Sequence, residues 1–260
     1  MPYTYKIAAI NINGIASHVC LKMLEDYLRQ QDIDIVLLLE VTHTKITSFR
    51  RYNAYVNVGI ENRGTAILAK EGLSLTDITR LPSGRVIAVY YEGTRIINIY
   101  APSGAEKRRE REVFYNTEVP TLLPPTSAEI LLAGDFNCVL SHADSTEHGK
   151  YSRTLEKLVR GFSLHDAQDT PTSRPNYTHY TPTGASKLNR IYITEHMWKN
   201  KHGVETVPAA FTDHFAVIIR LYLETNYTPQ SRVLENEHIF ATRDGLPAQT
   251  TGGVGTMENS

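Results

Sequence analysis

Six short polar clusters, each set against an apolar and strand-like run, constrain the fold of this chain more than any other feature. Five of them directly follow such a run, and the cluster at 188–191 sits inside one. They occupy residues 11–14, 40, 98–102, 134–137, 188–191 and 212–214. Strands that end in carboxylates, amides and a histidine can converge on one pocket from distant parts of a sequence. This set of side chains suits a divalent metal beside a phosphate ester.

The apolar segments predict many strands and few helices. Residues 33–39 are almost continuously apolar, which is typical of a strand covered on both faces. Ser17 can cap a helix that runs to about Gln30, and Glu92-Gly93 predicts a tight hairpin turn. Further strands are predicted near 5–11, 54–58, 65–69, 86–91, 94–100, 130–133, 176–180, 187–194, 204–207 and 215–223, and further helices at 105–118 and 152–160.

The order of these elements favours an α/β fold without regular βαβ alternation. Hairpins interspersed with a few helices predict two packed β-sheets with helices outside them. We expect residues 1–224 to form one domain. Residues 225–260 are rich in Thr, Gly, Asn, Gln and Glu and show no periodicity, so we expect a disordered tail.

Composition limits which partners and which cellular compartment we expect for this chain. The formal net charge is −1, so a nucleic-acid partner would have to be attracted by local basic patches. The two cysteines, Cys20 and Cys138, are interpreted as reduced, small apolar residues of an intracellular protein. No apolar run approaches the roughly 18 residues of a membrane span. The N-terminus lacks a secretory pattern, so neither membrane insertion nor secretion is expected.

A carboxylate at the end of the most apolar strand indicates a metal site. Glu40 stands there, and a charge in such surroundings is costly unless a bound cation compensates it. Mg²⁺ prefers one or two carboxylates and takes phosphate oxygens as further ligands. Asn11 would either add an amide oxygen or orient Glu40. The alternative interpretation is an ordinary strand-end charge in solvent.

The remaining clusters supply acid–base and phosphate-binding groups. Asp135 is a candidate general base for an attacking water, and Asn137 a candidate to hold that water or the phosphate. His214 can donate to a non-bridging phosphate oxygen, and Asp213 can face the metal or the water. The Tyr100 hydroxyl can donate to the phosphate, although packing is the commoner role of a strand tyrosine. Seven other histidines are interpreted as surface or satisfied polar residues: His142, His148, His165, His179, His196, His202 and His238.

Taken together, these motifs resemble the exonuclease–endonuclease–phosphatase superfamily, the DNase I-like fold, over roughly residues 5–223. The chain is most similar to the apurinic-type endonuclease domain of non-LTR retrotransposons. That closer likeness is carried by Ile-Asn-Ile-Asn-Gly-Ile, Ile-Ile-Asn-Ile-Tyr-Ala-Pro, Gly-Asp-Phe-Asn-Cys-Val-Leu and Tyr-Thr-His-Tyr-Thr-Pro. The resemblance implies a four-layered α/β sandwich that nicks double-stranded DNA with Mg²⁺, or alternatively Mn²⁺. The nick leaves a 3′ hydroxyl that primes reverse transcription, which implies a nuclear location.

The resemblance also assigns roles to individual residues. It implies Glu40 and Asn11 at the metal, and Asp135 and Asn137 at the attacking water. Around the phosphate it implies Tyr100, Asp213 and His214. For contacts with DNA, the candidates are Asn13, Thr178 and Arg190.

One residue departs from the family pattern. The family usually has Asp where this chain has Asn189, and that Asp is expected to accept a hydrogen bond from the catalytic histidine and hold it charged. A neutral amide cannot stabilise an imidazolium by charge. We therefore expect a catalytic site that is assembled but impaired, unless another carboxylate reaches His214. The same departure, in a chain without room for a reverse transcriptase, suggests a fragment or relic of a mobile element.

Three functions remain open at this point. The first is a metal-dependent DNA endonuclease. The second, in the same superfamily, is a phosphoesterase acting on a phosphoinositide or another small phosphate ester. The third is a catalytically silent DNA-binding remnant.

Overall fold

A computed structural model describes residues 4–14, 17–42, 49–124, 128–169 and 176–222. Within these ranges the strands are β1 (Thr4–Asn11), β2 (Ile35–Val41), β3 (Tyr52–Val58), β4 (Gly64–Lys70), β5 (Thr76–Arg80), β6 (Val86–Tyr91), β7 (Thr94–Tyr100), β8 (Glu129–Asp135), β9 (Leu164–Asp166), β10 (His179–Thr181), β11 (Gly184–Ser186), β12 (Asn189–Thr194), β13 (Lys201–Val207) and β14 (Ala216–Tyr222). The α-helices are α1 (His18–Gln31), α2 (Arg108–Val113), α3 (Arg153–Gly161) and α4 (Glu195–Asn200).

The strands form two six-stranded mixed sheets. The first has the order β13-β14-β1-β2-β4-β3 and the second β5-β6-β7-β8-β12-β9. In each sheet one central pair is parallel, β1 with β2 and β7 with β8, and the other neighbours are antiparallel. Strands β10 and β11 form a separate small hairpin.

The two sheets pack face to face, and helices cover their outer faces. Inner-face residues such as Ile35 and Leu131 are fully buried in one common cluster. Leu24 and Leu28 of α1 pack on the outer face of the first sheet. Leu155 of α3 belongs to a third cluster on the outer face of the second sheet. The order helix, sheet, sheet, helix confirms the predicted four-layered α/β sandwich.

Local predictions were right for the long elements and less accurate for the short ones. The helix predicted at 105–118 is only partly correct, since α2 continues as a π-helical turn (Phe114–Glu118) and a 3₁₀ turn (Val119–Leu122). Strands β5, β9 and β11 and helix α4 were not predicted; they have three to six residues each, too few to show periodicity. The predicted tail at 225–260 lies outside the described residues.

Both cysteines are free thiols, as expected from the sequence. Burial raises the pKa of Cys138 to about 11, so this side chain is a protonated thiol packed in the second sheet's outer cluster. In the described part of the chain, every helix is too short or too polar to cross a bilayer.

Candidate active site

The polar clusters meet at one edge that the two sheets share. Strands β1 and β2 end there in parallel, and so do β7 and β8. Strands β12 and β14 run antiparallel to their neighbours, so it is their first residues that reach this edge. The cluster at 188–191 overlaps the start of β12, inside the strand predicted at 187–194, and the cluster at 212–214 leads into β14. The expectation that a polar cluster follows its strand was wrong for 212–214.

Asn11 links the two sheets through two buried carboxylates. Its Nδ2 donates to Glu40 Oε1 at 3.0 Å and to Asp135 Oδ2 at 3.0 Å. Its Oδ1 accepts from the backbone N–H of Asn13 at 2.9 Å. Of the two roles considered for Asn11, these contacts favour orientation of the carboxylates. The amide uses both of its N–H groups to hold two acids from different sheets side by side.

Glu40 is placed by a local irregularity of β2. The register with β4 shifts between Leu39 and Val41, and Glu40 has a φ of 56°. This bulge turns a side chain of a buried strand toward the edge. Glu40 is 8% exposed, and its carboxylate also forms an ion pair with Arg63. Sequence reasoning missed Arg63, because an isolated arginine in a turn carries no signal of its own.

Asp135 depends on the glycine that precedes it. Gly134 has a φ of 144°, and a Cβ there would lie 1.9 Å from the carbonyl oxygen of Ile99. Only glycine lets β8 run this close to β7 just before the carboxylate. Asp135 is 1% exposed, and its Oδ1 accepts from the backbone N–H of Asn137 at 2.9 Å. Burial raises the pKa of Asp135, and the hydrogen bonds from Asn137 and Asn11 oppose that rise.

The loops after β7 and β8 are tied together beside the acids. Asn137 donates from Nδ2 to the carbonyl of Ala101 at 2.9 Å. The ring of Tyr100 is almost fully buried, which raises the pKa of its hydroxyl; Glu40 adds to the rise. Hydrogen bonds with Ser103 and Arg63 oppose it. Tyr100 therefore keeps its proton and can donate it in a hydrogen bond.

His214 contacts Asn189, the residue that differs from the family pattern. His214 Nδ1 lies 2.8 Å from Asn189 Oδ1, and both side chains are buried. The Nδ2 of Asn189 has no hydrogen-bond partner within the described part of the chain. A carboxylate does come near, since Asp135 Oδ2 is 3.9 Å from the same nitrogen of His214. That distance exceeds a hydrogen bond.

Burial decides the charge of the His214 imidazole. It lowers the pKa of His214, while the carboxylates of Asp213 and Glu40 oppose the change. With a neutral ring, Nδ1–H donates to Asn189 and Nε2 carries a lone pair. His214 is therefore an acceptor at Nε2 unless it takes up a proton.

Two of the residues predicted to contact DNA have structural roles. Thr178 is fully buried, and its Oγ1 accepts from the backbone N–H groups of Leu188 and Asn189 at 2.9 and 2.8 Å. Its carbonyl accepts from the N–H of Phe215 at 2.7 Å. The prediction that Thr178 contacts DNA was wrong, because its buried side chain positions Asn189 and its carbonyl positions the segment after His214.

Arg190 is also unavailable to DNA. It is 2% exposed, with Nη1 at 2.6 Å from Asp166 and Nη2 at 2.9 Å from Asp144. Lys187 joins the same network at 2.8 Å from Asp166. The prediction of a contact with the DNA backbone was wrong, since this guanidinium compensates the buried Asp166 and the partly buried Asp144. An arginine next to a polar motif looks the same in sequence whether it faces solvent or the core.

Asn13 and Asp213 lie at the open side of the site. Both are exposed, and Asn13 Nδ2 is 3.4 Å from Asp213 Oδ1. Asp213 also lies 3.6 Å from the Nε2 of His179. From the sequence, His179 was interpreted as a surface or satisfied polar residue outside the site. The structure instead places its ring half-buried against the ring of His214, with centroids 4.4 Å apart.

The donor set fits a divalent metal. Glu40, Asp135 and His214 are all buried and offer ligand atoms within 4.8 Å of one another. Two acids held together by one amide face mutual repulsion and loss of hydration, and a bound cation relieves both. Oxygen donors of this kind suit Mg²⁺ or Mn²⁺.

Solved structures with the same fold include an AP endonuclease from Archaeoglobus fulgidus and a variant of the 3′ phosphatase NExo from Neisseria, bound to product DNA hairpin. The first is 17% identical with a TM-score of 0.66, covering 83% of this chain and 98% of that one. The second is 17% identical with a TM-score of 0.70, covering 84% and 99%. These likenesses establish the DNase I-like fold.

Residues 8–214 match the Endonuclease/Exonuclease/phosphatase family, and the chain belongs to it. Members of this family are metal-dependent phosphoesterases. Among curated proteins, the chain is related to the transposon TX1 uncharacterized 149 kDa protein of Xenopus laevis, at 23% identity over 239 residues. That match covers 83% of this chain and 18% of the relative, so the chain spans less than a fifth of the relative's length.

Proposed function

We propose that the protein is a Mg²⁺-dependent endonuclease that nicks double-stranded DNA and derives from a non-LTR retrotransposon. The observation that carries the proposal is the pair of hydrogen bonds from Asn11 to Glu40 and Asp135, next to His214. The relation to a transposon protein supports the retrotransposon origin. A DNA substrate agrees with the product DNA bound to the Neisseria phosphatase of the same fold, and it favours a nuclear location.

Glu40 would hold the metal, with Asp135 as the neighbouring acid and Asn11 fixing both. When bound, the cation polarises a phosphate oxygen and stabilises the charge that builds on it. Arg63 pairs with Glu40 and contacts Tyr100, so it already sits where an anionic phosphate would approach. Tyr100 keeps its proton and donates to that phosphate.

Asp135 is the residue suited to take a proton from the attacking water. Burial raises its pKa toward the range in which a carboxylate is an effective base. One N–H of the Asn137 Nδ2 donates to the carbonyl of Ala101, which leaves the other N–H and the amide oxygen for a ligand. The side chain can therefore accept from a water or donate to a phosphate oxygen, and both roles considered for it stay open. The water oxygen bonds to phosphorus, the bond from phosphorus to the 3′ oxygen breaks, and that oxygen takes up a proton from solvent. The products are a 3′ hydroxyl and a 5′ phosphate.

In this mechanism the protonation state of His214 is unfavourable for its role. To donate to a phosphate oxygen from Nε2 it must be an imidazolium, because its Nδ1 faces Asn189. Burial disfavours that charge, and Asn189 supplies none in return. We therefore propose reduced turnover at neutral pH.

A silent DNA-binding remnant is the second candidate. It is favoured by the buried Nδ2 of Asn189, which lacks a partner among the described residues at the centre of the site. Selection for turnover would be expected to remove such a costly group. DNA binding without Mg²⁺-dependent cleavage, in this chain and in the Asn189→Asp variant, would establish this alternative.

Nicking of supercoiled plasmid with Mg²⁺, and with chelator in its place, tests the proposal. We expect nicking that Glu40→Ala lowers by at least about 100-fold, the usual cost of removing a key charge-stabilising group. Glu71→Ala is the matched control, since Glu71 is an exposed glutamate outside the site. Release of phosphate from a soluble ester, with no nicking of DNA, would refute the proposed substrate.

A further inference from the structure

His179 and His214 lie side by side because their backbones pair. The two residues form an isolated antiparallel bridge, and the carbonyl of Thr178 accepts from the N–H of Phe215 at 2.7 Å. The imidazole rings are 4.4 Å apart between centroids and tilted by 42°. Asp213 precedes His214 in the chain and brings its carboxylate to 3.6 Å from His179 Nε2.

We propose that His179, Asp213 and His214 form a Zn²⁺ site, which shares only His214 with the acid cluster that suits Mg²⁺. One nitrogen of each ring and one carboxylate oxygen lie within 4.8 Å of one another. Two imidazoles with one carboxylate are a donor set that zinc uses with a water in the fourth position. Mg²⁺ competes poorly there, because it prefers oxygen ligands.

The hydrogen bond from His214 to Asn189 prepares this site. A histidine that binds a metal through one nitrogen commonly donates its other N–H to a carbonyl or carboxylate, which fixes the tautomer. Asn189 Oδ1, 2.8 Å from His214 Nδ1, is such an acceptor. It leaves the lone pair on Nε2 for a metal. The residue that weakens the acid role of His214 therefore favours its role as a ligand.

The donors need only a small movement to close around an ion. Ligand atoms about 2.1 Å from a tetrahedral zinc lie roughly 3.4 Å apart. The contact between His179 and Asp213 is already 3.6 Å. Asp213 has a side chain 51% exposed, so it can rotate at little cost, while His214 is buried and fixed. The exposed side of the cluster leaves a path by which the ion can reach it.

Titration calorimetry with Zn²⁺, on the tag-free full chain in excess Mg²⁺ and without DNA, tests the site. We expect one bound ion per chain. His179→Phe should weaken the affinity about tenfold or more, because even the loss of a residue that only hydrogen-bonds to a metal ligand has that effect. His202→Phe is the matched control, because His202 is exposed and does not belong to the cluster of His179, Asp213 and His214. Asp213→Asn should weaken binding as well, and Co²⁺ in place of Zn²⁺ should give the strong visible absorption of a tetrahedral site.

Equal affinity of the original chain and His179→Phe would overturn the proposal, as would absence of Zn²⁺ binding. If Glu40→Ala weakened Zn²⁺ binding as much as His179→Phe, the ion would belong to the acid cluster and the proposal would also fall. Circular dichroism and thermal melting check that each variant folds. Should His179→Phe fail to fold, His179→Gln and Asp213→Asn decide the outcome.

A bound Zn²⁺ would withdraw His214 from a phosphate. Zn²⁺ should therefore inhibit nicking in the original chain more than in His179→Phe at the same fixed Mg²⁺ concentration. This consequence rests on the proposed nuclease function, whereas the calorimetry does not. Zn²⁺ binding by a chain that shows no nicking with Mg²⁺ in the absence of Zn²⁺ would support the site and refute the nuclease.

Discussion

Placing a carboxylate beside His214 should move the pH range in which the proposed nuclease works. In the Asn189→Asp variant, the new oxygen would replace the amide oxygen that lies 2.8 Å from His214 Nδ1. An anion at that distance stabilises the imidazolium, which the present neutral amide does not. The variant should therefore keep His214 protonated at higher pH.

The size of the effect follows from this distance and the burial of both side chains. An opposite charge this close changes a pKa by about 1–3 pH units, even after part of the Coulomb energy is lost to desolvation. Each unit is about 1.4 kcal/mol, so the protonated fraction above both pKa values rises roughly ten- to a thousandfold. The roughly 10⁴-fold effect of the analogous change in the serine-protease triad is an upper guide.

The assay is the initial rate of plasmid nicking with Mg²⁺ at pH 5.5, 6.5, 7.5 and 8.5. We expect the alkaline limb of the rate profile to move to higher pH in Asn189→Asp, with the largest gain at pH 7.5 to 8.5. Asn53→Asp, an exposed amide on β3, controls for the added charge. An unchanged limb in Asn189→Asp would refute the reasoning and would mean that Asp135 already supplies the charge.

Three further predictions concern folding and metal binding. The pKa of His214 is lowered in the folded protein, so the unfolded chain binds a proton at this residue first as the pH falls through about 6.5. The free energy of unfolding measured in urea should therefore decrease from pH 7.5 to pH 5.5. The decrease should be smaller in Asn189→Asp. Arg63→Met should lower the Mg²⁺ concentration for half-maximal nicking up to about fivefold, because an exposed cation competes with the metal for Glu40 with about 1 kcal/mol; no change would show that the pair is irrelevant. Arg190→Met should lower the free energy of unfolding in urea by up to about 3–5 kcal/mol, since it removes the partner of the partly buried Asp144 and leaves the buried Asp166 with Lys187 alone. The exposed Arg109→Met should cost little.

The long strands and the family could be predicted from residue patterns alone. An apolar run such as 33–39 admits few alternatives to a buried strand, and the fold confirms it as β2. Short elements such as β9, with three residues, have no such signature and form because long strands next to them offer edges. Tertiary context fixes them, and local sequence does not.

The residues of the candidate site were likewise predictable from the sequence only in part. Its carboxylates and its histidine were identifiable, because polar groups that interrupt apolar runs are costly without a purpose. Arg190 and His179 were misassigned in opposite directions, and the cause is the same in both. Whether a charged or polar side chain points to solvent, to a buried acid or to another ring depends on strand pairing across distant segments.

By itself, the sequence determined which chemical groups this protein possesses and that its apolar runs must pack as layered sheets, because both depend on local composition and periodicity. Only the tertiary structure decided that Asn11 donates hydrogen bonds to acids of both sheets, that Thr178 and Arg190 make buried structural contacts, and that two histidines lie side by side. Those outcomes depend on register between strands far apart in the chain, where a one-residue difference would turn every side chain to the other face.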